Sequence, residues 1–163
     1  MPSSPRRKLV AAAATACAFS AVLAAAPPAS ADPQNDLWNM INDKHVAAGC
    51  APYSTAPALT DIAVEYAQMM ANNERGNLAV VEHGMAGVPV LDRELHKRGY
   101  NFSYLGEMDY SNIDGGGSAQ AAADFWQANL HDLINNCDMK QMGTAVWIVN
   151  DHWAASSIMA TPA

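Results

Sequence analysis

The stretch GTAVWIVNDHWAASSIM, residues 143–159, decides the fold. Thr144, Val146 and Ile148 alternate with Ala145, Trp147 and Val149, and strict alternation of β-formers is the pattern of a strand. Both faces are apolar, so residues 143–149 predict a central strand covered on each side. Asn150 and Asp151 suit a tight turn, because short polar side chains tolerate the left-handed backbone it needs. Residues 152–159 then return as the last strand. Most of what precedes this hairpin is helical in pattern. Helices first and a hairpin last predict an α+β fold with a small antiparallel sheet under helices.

Working back towards the N-terminus, residues 118–130 read as a helix capped by Ser118, with Ala122, Phe125 and Trp126 facing inward. Residues 102–109 predict a strand carrying Glu107, and residues 90–98 a short helix stopped by Gly99. Residues 57–73 hold the clearest helical stripe: Leu59, Ile62, Ala63, Tyr66, Ala67 and Met70 recur at i, i+3, i+4, i+7, i+8 and i+11. Pro57 is tolerated in a first helical turn, where its missing N–H leaves nothing unpaired. Residues 36–48 predict a first helix, capped by Asn35 or Asp36 and ended by Gly49. Residues 77–89, which include His83, read as irregular.

The first 31 residues are expected to be absent from the mature chain. Arg6, Arg7 and Lys8 precede an alanine-rich apolar stretch, and Ala29-Ser30-Ala31 is a small-residue cleavage site: the three parts of a secretory leader. Residues 32–163 are then one domain by length. The leader removes three of the 9 basic residues and none of the 16 acidic ones, taking the net charge from −7 to −10. So acidic a chain is repelled by nucleic acid and anionic lipid. No remaining apolar run is long enough to span a bilayer. Cys17 goes with the leader. Cys50 and Cys137 in an exported chain read most simply as one disulfide, with free thiols or metal ligands as the alternative.

Several familiar sites are missing. The chain holds no H-E-x-x-H zinc helix, no EF-hand loop and no G-x-x-x-x-G-K-[ST] phosphate loop. Gly116 to Gln120 imitates a nucleophile elbow for four positions, but Gln120 replaces the closing glycine and helix capping accounts for Ser118. Three residues are left as a candidate site. Glu107, between apolar neighbours in a strand, is expensive to bury unless a cation or donor meets it. His83 in the irregular segment and His131 at the end of the Trp126 helix are the candidate partners, since a carboxylate orients an imidazole and raises its basicity.

In order along the chain, these features resemble the CAP superfamily, the group named for cysteine-rich secretory proteins, antigen 5 and pathogenesis-related proteins, in its short bacterial (SCP) form. Asn42 to Cys50 (NDKHVAAGC) is similar to its first helix and terminal Gly-Cys. The run from Ala58 to Met70 resembles the second helix, and His83 falls where the first site histidine belongs. Gly99-Tyr100 and Leu105-Gly106-Glu107 resemble G-Y followed by G-E-N. Trp126 and His131 resemble the W-x-x-S-x-x-H segment, and Asn136-Cys137 with Met142-Gly143 the entry to the last strands. The chain departs from the pattern where Met108 replaces asparagine, where Asp132 replaces arginine, and in a Trp126–His131 spacing one residue short. No glutamate follows Trp126; Gln127 and Asn129 stand nearby.

The resemblance implies a three-layer α-β-α sandwich with His83, Glu107 and His131 lining a central groove, and a Cys50–Cys137 bridge tying the first helix to the segment before the hairpin. It implies a secreted or cell-envelope monomer that binds a small hydrophobic ligand of the sterol or fatty-acid kind, an extracellular partner, or a divalent cation such as Zn²⁺ on His83 and His131, with no required cofactor and no catalysis. The alternatives are an extracellular protease-like hydrolase with Glu107 as general base, and an interaction module whose groove is vestigial. His45 and His152 are read as scaffold or surface.

Overall fold

The computed structural model describes residues 32–72 and 88–163. The expected leader, Cys17 and His83 lie outside the described residues. The elements run α1 (Pro33–Ala47), β1 (Ser54–Thr55), α2 (Pro57–Ala71), α3 (Val88–Lys97), β2 (Phe102–Asn112), α4 (Ala119–Asn129), α5 (His131–Ile134), β3 (Gln141–Val149) and β4 (His152–Pro162).

Local chemistry sets most of the boundaries. Asp32, rather than Asn35 or Asp36, caps α1: its carboxylate accepts from the backbone N–H of Gln34 and Asn35, and Pro33 occupies the first turn. Gly49 leaves the helix at φ +93°, a left-handed exit that glycine makes without steric cost. Ser118 caps α4 by accepting from Ala121 N–H. Asn150 and Asp151 both take positive φ (46° and 65°), the backbone of a two-residue hairpin turn.

The four strands form one mixed sheet in the order β1-β3-β4-β2. β1 pairs parallel with β3, and the β3–β4 and β4–β2 pairs are antiparallel. The two-residue strand β1 gives no signal in the sequence. The strand covered throughout is β4, buried from His152 to Ala160; β3 is covered only in its first half, and Trp147 and Ile148 are exposed near the hairpin.

Two apolar layers enclose the sheet. On one face α1, α4 and α5 bring Leu37, Ile41, Ala122, Trp126 and Ile134 onto Met108, Met142, Ala155 and Met159. On the other, α2 and α3 bring Leu59, Ile62, Ala63, Leu91 and Leu95 onto Ala145, Ile158 and Ala160. The expected α2 stripe is the buried face of that helix, and each large apolar side chain removed from water there stabilises by about 1.5–3 kcal/mol. Phe125, expected to face inward, is half exposed and instead meets the ring of Tyr110 at 5.7 Å. The start of α2 comes so close to β3 that a Cβ on Gly143 would overlap the backbone of Leu59 and Thr60.

Cys50 and Cys137 are joined, with Cα atoms 4.9 Å apart, tying the end of α1 to the segment before β3. His45 reinforces that tie. Its buried ring stacks on Tyr53 with centroids 3.8 Å apart, and its Nδ1 lies 2.6 Å from the Ile134 carbonyl of α5. Among the described residues no helix is long and apolar enough to cross a membrane.

Candidate functional site

β2 is an edge strand, and its side chains alternate between the two layers. Gly106 and Met108 face the α1–α4–α5 layer: Met108 is in that core, and a Cβ on Gly106 would meet Leu133 and Met139. Glu107 and Asp109 therefore project together towards α2. In register they stand opposite Ile158 and Ser156 of β4.

The two carboxyl groups hydrogen-bond to each other, which two acids manage only when one keeps its proton. Burial, then the negative charge of Asp109, then the hydrogen bond between them push the Glu107 pKa from the usual 4.5 up to about 9, so the pair holds a proton at neutral pH. From α2, Tyr66 comes near enough to feel the charge of both acids. Its hydroxyl is pushed to a higher pKa by burial first and by the charges of Glu107 and Asp109 next.

The polar atoms here are poorly met. Among the described residues, Glu107 Oε1, Tyr66 Oη and Ser156 Oγ are all buried without a hydrogen-bond partner. Tyr66 is 5% exposed and Ser156 not at all. An unmet buried polar group costs about 1–3 kcal/mol, so packing alone gives no reason for three in one place. One step further along the same face of β2, Ser111 Oγ lies 2.7 Å from Nε2 of the buried His152.

Of the two expected partners of Glu107, one falls among the described residues. His83 lies outside the described residues. His131 does not end the Trp126 helix: the backbone breaks at Leu130, and His131 opens the separate turn α5. Its ring is half exposed, with Nε2 3.1 Å from the Asp132 carboxylate. Leu133 of α5 lies against Gly106, on the face of β2 opposite Glu107. No hydrogen bond or ion pair joins His131 to Glu107 among the described residues, and no three His, Cys, Asp or Glu side chains there gather closely enough to hold a metal by themselves. Asp109, Tyr66 and Ser156 were missed from sequence. The available signal was E-x-D within a strand, which places both acids on one face.

A separate cleft of about 410 Å³ opens between α1 and the start of α2, lined by Asn35, Trp38, Thr60 and Thr144 among others. None of the carboxyl-pair residues lines it.

No family model matches the sequence, and no curated protein matches it. Solved structures do match in three dimensions. An outer surface protein from Borrelia burgdorferi matches with a TM-score of 0.60 at 16% identity, over 82% of this chain and 97% of that one. An extracellular SCP-domain protein from Bacillus anthracis matches with 0.57 at 14%, over 82% of this chain and 45% of that one. A cysteine-rich secretory protein from Staphylococcus aureus matches with 0.54 at 14%, over 80% and 38%. The match thus spans less than half of the Bacillus and Staphylococcus chains. The chain has the CAP (SCP) fold, an α+β sandwich with a mixed four-stranded sheet.

Proposed function

From that fold, we propose that this chain is an exported, non-enzymatic binding protein that holds an organic ligand at Glu107 or a cation on His83 and His131. Two of the similar structures are described as an extracellular and an outer surface protein. The Cys50–Cys137 bridge suits an oxidising compartment. The observation that carries the binding reading is Glu107 itself: a carboxyl buried beside a second acid, with one oxygen unmet among the described residues. Such a group lowers stability and is retained where it meets something else.

The ligand is a small hydrophobic molecule of the sterol or fatty-acid class, or a divalent cation. For zinc, the donors are the imidazoles of His83 and His131, at about 2.0–2.1 Å to nitrogen with water completing the shell; Glu107, on the other face of β2 from α5, is not among them. Calorimetry of the purified chain against Zn²⁺, and against a fluorescent fatty acid and a fluorescent sterol, tests the reading. Zinc uptake weakened by His131→Ala, or uptake of either lipid probe weakened by Glu107→Gln, is expected; three flat titrations at neutral pH would end it.

Hydrolysis ranks below binding. A carboxyl whose pKa stands at about 9 holds its proton at pH 7 and makes a poor general base there. A peptide library cleaved by wild type and left intact by Glu107→Gln reverses the order.

A further inference from the structure

The carboxyl pair has a composition of its own, distinct from the imidazole set above. Glu107 and Asp109 share one face of the edge strand. Ser156 stands opposite Asp109, fully buried, with its Oγ unmet; Tyr66 comes down from α2, its Oη unmet and its hydroxyl feeling both acids. A shared proton accounts for the bond between the two acids and for nothing else. It leaves Glu107 Oε1, Ser156 Oγ and Tyr66 Oη without partners among the described residues. A trapped water can meet some of these atoms; a small cation can meet all of them and brings positive charge beside two acids.

We propose that Glu107, Asp109 and Ser156 form an all-oxygen site for a hard divalent cation (Ca²⁺, Mg²⁺ or Mn²⁺) between α2 and the sheet, with Tyr66 donating its hydroxyl hydrogen to a ligating carboxylate. The class follows from the donors. Carboxylate and hydroxyl oxygens, with no imidazole or thiolate among them, favour hard ions over zinc or copper. Two carboxylates balance a charge of +2. Three side-chain ligands leave positions for water, which the ions of this class retain. Among the described strands β2 is paired on one side only, so an ion can reach the site without the sheet parting. It shares no ligand with the zinc reading, which uses the imidazoles of His83 and His131.

Calorimetry and Mn²⁺ electron paramagnetic resonance on the purified, metal-stripped chain test this. The expected result is one Mn²⁺ per chain, displaced by Ca²⁺ or Mg²⁺, with a Kd of about 10⁻⁴ M, in the range of weak extracellular calcium modules. Asp109→Asn and Ser156→Ala preserve shape closely, and each should weaken binding at least tenfold while the circular dichroism spectrum stays that of wild type. Failure of the folded wild-type chain to take up any of the three ions overturns the site. So does a folded Asp109→Asn chain that binds Mn²⁺ as tightly as wild type. The two metal readings fail separately: a chain that binds Zn²⁺ and none of the hard ions overturns this inference alone, and one that binds Mn²⁺ but not Zn²⁺ removes only the zinc part of the proposed function.

Discussion

The indole Nε1 of Trp126 donates a 2.9 Å hydrogen bond to the backbone carbonyl of Asp109. Trp126 is fully buried in the α1–α4 layer, while the Asp109 side chain points to the opposite layer. One aromatic residue on α4 thus holds in place the strand segment whose carboxyl groups face α2. Trp126→Phe keeps most of the apolar volume and loses the donor. It should cost about 1–2 kcal/mol, the price of a part-buried bond lost. Urea denaturation measures it, and an unchanged midpoint would mean the bond contributes nothing to holding β2.

Glu107 makes stability depend on pH. Its folded pKa of about 9 exceeds the usual 4.5, so between these values the folded chain keeps a proton that the unfolded chain releases. This contribution is complete below about pH 4.5 and is lost as pH rises through about 9. Within the window the slope is at most about 1.4 kcal/mol per pH unit. In Glu107→Gln, which resembles the protonated acid in shape, that slope should vanish and Tm at pH 8.5 should exceed wild type. Melting in EDTA at pH 5.5, 7 and 8.5 checks this, and parallel wild-type and variant curves would contradict it.

Tyr66→Phe removes a buried hydroxyl that has no partner among the described residues. Without metal the change should be neutral or stabilising by up to about 1 kcal/mol, because no bond is lost and an unmet group is relieved. A loss of 2 °C or more in Tm in EDTA would show that the hydroxyl is satisfied in the apo chain.

Gly143→Ala sets a Cβ against backbone atoms of Leu59 and Thr60, which have no rotamer by which to yield. Overpacking of this kind costs about 1–3 kcal/mol. Lost α2–β3 packing should register as a lower urea midpoint; a variant as stable as wild type would show that α2 shifts freely over β3.

Reduction of the Cys50–Cys137 bridge releases a tie across 87 positions of chain. Loop entropy puts the loss at about 4–5 kcal/mol as a ceiling. Cys50→Ser/Cys137→Ser should therefore unfold at much lower denaturant than the oxidised parent. Coincident transitions would indicate that the His45–Tyr53–Ile134 contacts hold that corner alone.

Short-range chemistry was enough to read much of the scaffold. The α2 stripe, the Ser118 cap, the Gly49 exit and the Asn150-Asp151 turn each depend on neighbours a few residues away, so spacing and residue type specify them. The two-residue β1, the break at Leu130 that starts α5, and the choice of β4 as the covered strand depend on pairings between distant segments, which no local window contains. The same division runs through the site. Glu107 is recognisable from sequence as a strand carboxyl in need of a partner. That Asp109, Ser156 and Tyr66 come near it is decided by the β2–β4 register and by where α2 lands on the sheet, because side chains from three elements become neighbours only after those elements pack.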